Sequence, residues 1–300
     1  MSSIFISHSS ASAAEAARIE QAFKTAGFDA WLDNSDLGIG VQLRPELHDA
    51  IRNSLAVVLV WSEPASRSRW VCAEILVAFH LNRYIVPCVT DDTPLPEFLG
   101  RPVYLDLRKA TDEALGRLVR SAEAAPPSAN PVAPRVSAPS PELIRERDRL
   151  AQLQMRVTGA LGERDLAGAA RAQRAIDSRM AKAERRWPSD LTILALGGYH
   201  RKNAYMVAHW DVIQAGRPPR DPILLDAERR FFEAALVDPN DLSAINGLAS
   251  ILVFELELDA AAFFNDRAIE LSKQAGVAYD DAEQDRALIA WMRQQAAHGL

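Results

Sequence analysis

The stretch "PPSANPVAPRVSAPSP", residues 126–141, places six prolines among sixteen residues. Neither a helix nor a central strand tolerates that density, because each proline fixes φ and removes a backbone donor. With serine and alanine between the prolines, the composition favours an extended, semi-rigid linker. The chain is therefore expected to fold in two parts, residues 1–125 and residues 142–300, joined by 126–141. Its 300 residues fit two domains.

Charge narrows the range of partners. Residues 1–125 carry 12 Lys/Arg against 16 Asp/Glu, and the remainder carries 22 against 24. Neither part has the basic surplus that binding to a phosphate backbone requires, so no nucleic-acid partner is expected. The opening "MSSIFISHSS" has no basic leader, and no apolar run approaches the roughly 20 residues of a membrane span. Cys72 and Cys88 are isolated from each other and from any metal-type spacing. These features lead us to expect a reduced, cytoplasmic protein that neither enters a membrane nor carries a metal.

Before the linker, strand and helix patterns alternate. "SIFIS" reads as a strand, and "SAAEAARIEQAFKTAGF" as a helix with Ala16, Ile19, Ala22, Phe23 and Ala26 on one face and Gly27 at its end. "DAWLD" is a second strand, "PELHDAIRNS" a helix with Pro45 in its first turn, and "LAVVLVWS" a third strand, apolar on both faces. "WVCAEILVAFHLN", "YIVPCV", "VYLDL" and "TDEALGRLVRSAEAA" continue the alternation. Such a pattern predicts an α/β fold, a doubly wound open parallel sheet, whose ligands bind beyond the carboxyl ends of the strands. Attention falls on the loops after Ser7, Asp33 and Ser62 and on the helix beginning near Arg69.

Three separated motifs in order, "IFISHSS", "AWLDNSDLGIG" and Trp-x-x-x-Glu ending at Glu74, resemble a TIR (Toll/interleukin-1 receptor) domain over about residues 2–124. The resemblance implies a flavodoxin-like sheet. It also implies one of two roles, since some members cleave NAD and others only assemble. In the enzymes the glutamate of the Trp-x-x-x-Glu helix is catalytic, and Glu74 occupies that position. Trp70 shares a helix face with it at i and i+4. Ser7, His8 and Ser9 end the first strand, where the family contacts the nucleotide; some enzymes have arginines where Ser9 and Ser10 stand here, so hydroxyls and backbone amides would meet the phosphates. "DNSDLGIGVQLRPEL" resembles the family's BB loop, with Asp33 fixing it, Leu37 as an apolar contact, and Gly38 and Gly40 permitting positive φ.

The chemistry is compatible with a single carboxylate. Cleaving the nicotinamide–ribose bond expels a neutral leaving group and leaves an oxocarbenium-like sugar, which a carboxylate near the ribose hydroxyls stabilises. No cofactor is required, because NAD+ is the substrate.

After the linker the pattern is helical throughout. "SPELIRERDRLAQLQMRVTGAL" and "LAGAARAQRAIDSRMAKAERRW" each carry an apolar stripe. "DAERRFFEAALVDPND" from Asp226 and "DAAAFFNDRAIELS" from Asp259 align at an offset of 33, while "WPSDLTILALGGYH" echoes "DPNDLSAINGLAS" at 51. This resembles tetratricopeptide repeats, whose period is about 34. Such a domain implies self-association or a concave face for a protein or peptide. The acidic "YDDAEQD" near Asp280 reads as a solvated helix face.

Two functions follow from the resemblance. One is an assembly-activated NAD+ glycohydrolase that yields nicotinamide with ADP-ribose or cyclic ADP-ribose, as in prokaryotic defence against phage. The other is a TIR adaptor without chemistry. An enzyme of another glycosyl- or nucleoside-processing class fits poorly, since it ordinarily needs a second acid.

Overall fold

A computed structural model describes residues 3–32, 45–100, 102–124, 138–278 and 280–297. By contacts the chain divides into two compact units, Met1–Pro134 and Arg135–Leu300. The division falls inside the proline-rich segment of the sequence.

In the first unit β1 (Ser3–Ser7) leads to α1 (Ala13–Thr25), β2 (Asp29–Leu32), α2 (Pro45–Asn53) and β3 (Ser54–Trp61). Then come α3 (Glu63–Ser66), α4 (Arg69–His80), β4 (Tyr84–Val89), β5 (Leu105–Asp106) and α5 (Asp112–Glu123). Local chemistry sets the ends of these elements. Gly27 takes φ +87° just beyond α1, a conformation open to glycine. Ser68 and Thr111 accept hydrogen bonds from Val71 and Ala114 to cap α4 and α5.

The five strands are all parallel in the order β2-β1-β3-β4-β5. Alternate strand residues serve opposite faces. Ile4, Ile6, Val58, Val60, Val86 and Cys88 form one core with Ile19 and Phe23 of α1 and Leu115, Leu118 and Val119 of α5. Phe5, Val57 and Leu59, also fully buried, point the other way, where α2 and α4 pack. The expected strand "VYLDL" pairs only at Leu105–Asp106, and Val103 and Tyr104 before it are exposed. The short α3 is not apparent from periodicity, because four residues are too few to show one.

The second unit is helical: α6 (Pro141–Gly162), α7 (Leu166–Arg186), α8 (Leu191–Gln214), α9 (Pro222–Val237), α10 (Leu242–Phe254), α11 (Leu258–Ala275) and α12 (Asp280–Ala297). Helices pack in succession as pairs, and α6, α8, α10 and α12 also pack on one another in that order. This arrangement is consistent with a helical repeat. Positions aligned in the sequence are equivalent in the fold. Ala227 and Phe231 of α9 are fully buried, as are Ala260 and Phe264 of α11, and α8 and α10 begin 51 residues apart, at Leu191 and Leu242. Two glycines make room for Phe231, since a Cβ on Gly198 would lie 2.7 Å from the ring and one on Gly247 would overlap it. No helix among the described residues is long and apolar enough to cross a membrane.

Candidate functional site

Strand order reverses at β1 and β3, and the crevice beyond their carboxyl ends is where an open parallel sheet presents ligands. Ser7 closes β1 and is fully buried; Ser9 follows at 7% exposure, with His8 half-buried between them. The hydroxyls of Ser7 and Ser9 have no hydrogen-bond partner among the described residues. Ser9 does not use its side chain to cap the turn that follows it. Buried hydroxyls ordinarily find partners, so two together at the strand end mark a place for a polar ligand or a polar neighbouring segment.

Beyond the end of β3 and the short α3, the chain enters α4. This helix packs against β1, β3 and β4 as well as α2, and every residue from Val71 to Phe79 is buried. Glu74 lies in the middle of that run at 1% exposure. The alternative in which Glu74 is an ordinary exposed helix residue is excluded by that burial. A carboxylate removed from water is strongly disfavoured unless the site compensates it, which is why such groups concentrate where chemistry or binding needs them. Trp70, one turn earlier, is only half-buried, so the indole reaches the surface beside a carboxylate that does not. The Arg69 guanidinium stands 5.5 Å from the Trp70 ring centroid, placing a cation over the indole face.

The rim beyond β3 and β4 is held by side chains the motif reading did not single out. Trp61 donates its indole N–H to the Pro94 carbonyl at 2.8 Å. Asp91 accepts from the amides of Glu63 at 2.8 Å and Thr93 at 2.9 Å, tying the loop after β4 to the start of α3. Burial pushes the Asp91 carboxyl upward, but the two amides and the Arg108 charge outweigh it and hold the group below its ordinary range. The sequence signal for this was Asp91-Asp92-Thr93, an aspartate positioned to bond an amide two residues on. Arg69 carried no comparable signal, because its role depends on the ring beside it.

Cys72 is buried with its Sγ 3.7 Å from the Ser66 carbonyl oxygen, and burial pushes the Cys88 thiol up to about 12. Both behave as small apolar residues. Asp33, Leu37 and Gly40, with the rest of the loop resembling a BB loop, lie outside the described residues.

A family model described as a TIR domain matches residues 4–119, the span from β1 into α5. Residues 4–119 form a TIR domain. No curated protein and no solved structure matches the chain. The TIR family includes NAD-cleaving members and members that act as adaptors, and TIR domains commonly self-associate.

Proposed function

We propose that the TIR domain cleaves the nicotinamide–ribose bond of NAD+ and that Glu74 is its catalytic carboxylate. The burial of Glu74, on the helix packed behind the strand ends where the Ser7 and Ser9 hydroxyls lie, carries this reading. As the C–N bond breaks, nicotinamide departs with the bonding electron pair as a neutral molecule. Positive charge then develops on the ribose, where a carboxylate in a dry site interacts strongly with it. Water attacks the anomeric carbon and loses a proton to give ADP-ribose; attack by a nucleophile of the same molecule gives the cyclic product. Trp70 walls the pocket, and Ser7, His8 and Ser9 offer polar contacts.

Activity is coupled to assembly in this reading. TIR–TIR contacts complete the site, and the helical unit gathers the domains in response to a partner, in a role suited to prokaryotic defence. The test is to incubate the purified full chain with NAD+ at several protein concentrations, with and without a crowding agent, and to separate the products. Release of nicotinamide that rises faster than linearly with protein supports the proposal. Absence of turnover under every condition favours the adaptor.

A further inference from the structure

Charge is unevenly spread along the helical unit. Residues 141–186, which form the α6 and α7 hairpin, carry 11 Lys/Arg against 7 Asp/Glu, whereas residues 187–300 carry 10 against 17. Part of that basic surplus gathers at a groove of about 490 Å³ between the two helices. Arg149, Gln152, Leu153 and Arg156 of α6 line it, with Ala175 and Arg179 of α7. The volume falls in the range of small-ligand sites, and no carboxylate among the described residues lines the groove.

The groove lies on the side of the hairpin turned away from α8. Gln154 of α6 donates to the Leu196 carbonyl of α8, and Gln173 of α7 donates to the His200 carbonyl of α8. Arg149 and Arg156 stand five and two residues from Gln154, and Ala175 stands two from Gln173, offsets that carry a side chain to the far face of a helix. The groove is therefore not covered by the next helix of the repeat.

Its three arginines are held differently. Arg179 is half-buried and donates through Nε to Glu146 of α6 at 2.9 Å, a contact that orients the side chain while its two terminal nitrogens keep no partner among the described residues. Arg149 and Arg156 are exposed, and neither has an ion pair or hydrogen bond among the described residues. They stand two turns apart, about 10 Å along the axis of α6, with Gln152 between them. A guanidinium offers paired N–H donors that match two oxygens of a phosphate, and linked phosphates span the distance from one arginine to the other. Only Leu153 and Ala175 give the groove apolar lining, so it lacks the hydrophobic anchor pocket by which a protein segment docks.

We propose that this groove binds a small ligand carrying two or more linked phosphates, either a nucleoside polyphosphate or an inorganic polyphosphate, through Arg149, Arg156 and Arg179.

The test is calorimetric titration of the full chain at low salt with tripolyphosphate and, separately, with inorganic phosphate. Saturable binding of one tripolyphosphate per chain is expected, with inorganic phosphate at least about tenfold weaker, the value of roughly one charge-assisted hydrogen bond. Arg149→Gln with Arg156→Gln, and Arg179→Gln alone, should each weaken tripolyphosphate by about tenfold or more. Arg174→Gln with Arg185→Gln removes as much charge from the same hairpin outside the groove, and affinity should then hold within about twofold because exposed distant charges are screened. Circular dichroism confirms that each variant is folded. Titration with ATP separates the two sources: arginine-dependent binding tighter than that of tripolyphosphate supports the proposal with a nucleotide as ligand, and weaker binding supports it with an inorganic polyphosphate. No saturable tripolyphosphate binding, or an equal loss in the two double variants, overturns the proposal. An oligomer at low salt that the Arg149→Gln, Arg156→Gln chain does not form, with no tripolyphosphate bound, overturns it in favour of an acidic surface of a second copy. The readout is binding, so the result is independent of NAD+ cleavage.

Discussion

Glu74 and Asp285 are carboxylates withdrawn from water in two differently built units. Asp285 is held by a named chain of side chains, Ser250 and Lys202, that reaches across neighbouring helices. Glu74 instead lies on an all-buried face of α4, behind a strand end where the Ser7 and Ser9 hydroxyls lack partners among the described residues. A buried carboxylate that bonds a neighbouring helix helps to fix how the two pack, and one behind a strand end with open hydroxyls marks a candidate ligand site. On the proposed function, the same chemical group joins helices in one unit and serves catalysis in the other.

The sharpest way to break that division of labour is to separate the units. With residues 142–300 deleted, NAD+ turnover at nanomolar protein should fall by tenfold or more, roughly the loss expected when tethered association becomes bimolecular. Crowding should restore part of it. Undiminished turnover by residues 1–125 would show that the helical unit does not control assembly.

Packing in the helical unit supplies the next effect. Gly247→Ala would drive a methyl group into Phe231, and chemical denaturation should show a loss of about 1–3 kcal/mol. The unfolding transition of the TIR unit should not move.

At the strand end, Ser9→Ala removes a buried hydroxyl that satisfies nothing among the described residues. Folding stability should hold or rise, while the KM for NAD+ should increase roughly three- to tenfold, the value of about one hydrogen bond. A drop in stability with unchanged KM would assign Ser9 to the fold.

The smallest effect is one of pH. Because the folded Asp285 carboxyl titrates near 6, above its ordinary 3.8, it binds a proton more readily folded than unfolded. Its contribution is fully present below pH 3.8 and is lost as pH rises through about 6. Hydrogen exchange, corrected for intrinsic rates, should show α12 better protected at pH 5 than at pH 7.5, and Asp285→Asn should flatten the difference.

Much of the first unit was legible because a parallel sheet buried on both faces writes continuous apolar runs such as Leu55–Trp61, and because helix ends carry their own marks at Pro45 and Gly27. The repeat was legible where Ala227 and Phe231 recur as Ala260 and Phe264. Contacts between distant residues were not. "YDDAEQD" reads as a solvated face, yet its Asp285 bonds Ser250. That partner lies on another helix, and no local period announces it. Likewise the Trp70 and Glu74 spacing showed a shared helix face, while the far deeper burial of Glu74 depends on α2 and the sheet closing over α4.

The central claim is that Glu74 performs chemistry and is not needed to build the fold. The direct test is to measure NAD+ turnover and thermal midpoint on the same purified samples of wild type and Glu74→Gln. The account predicts that turnover falls by at least ~100-fold, as when a transition-state electrostatic contact is removed, while the midpoint moves little because glutamine keeps the shape of the buried side chain. Turnover retained by Glu74→Gln, or lost only in step with a falling midpoint, would contradict it.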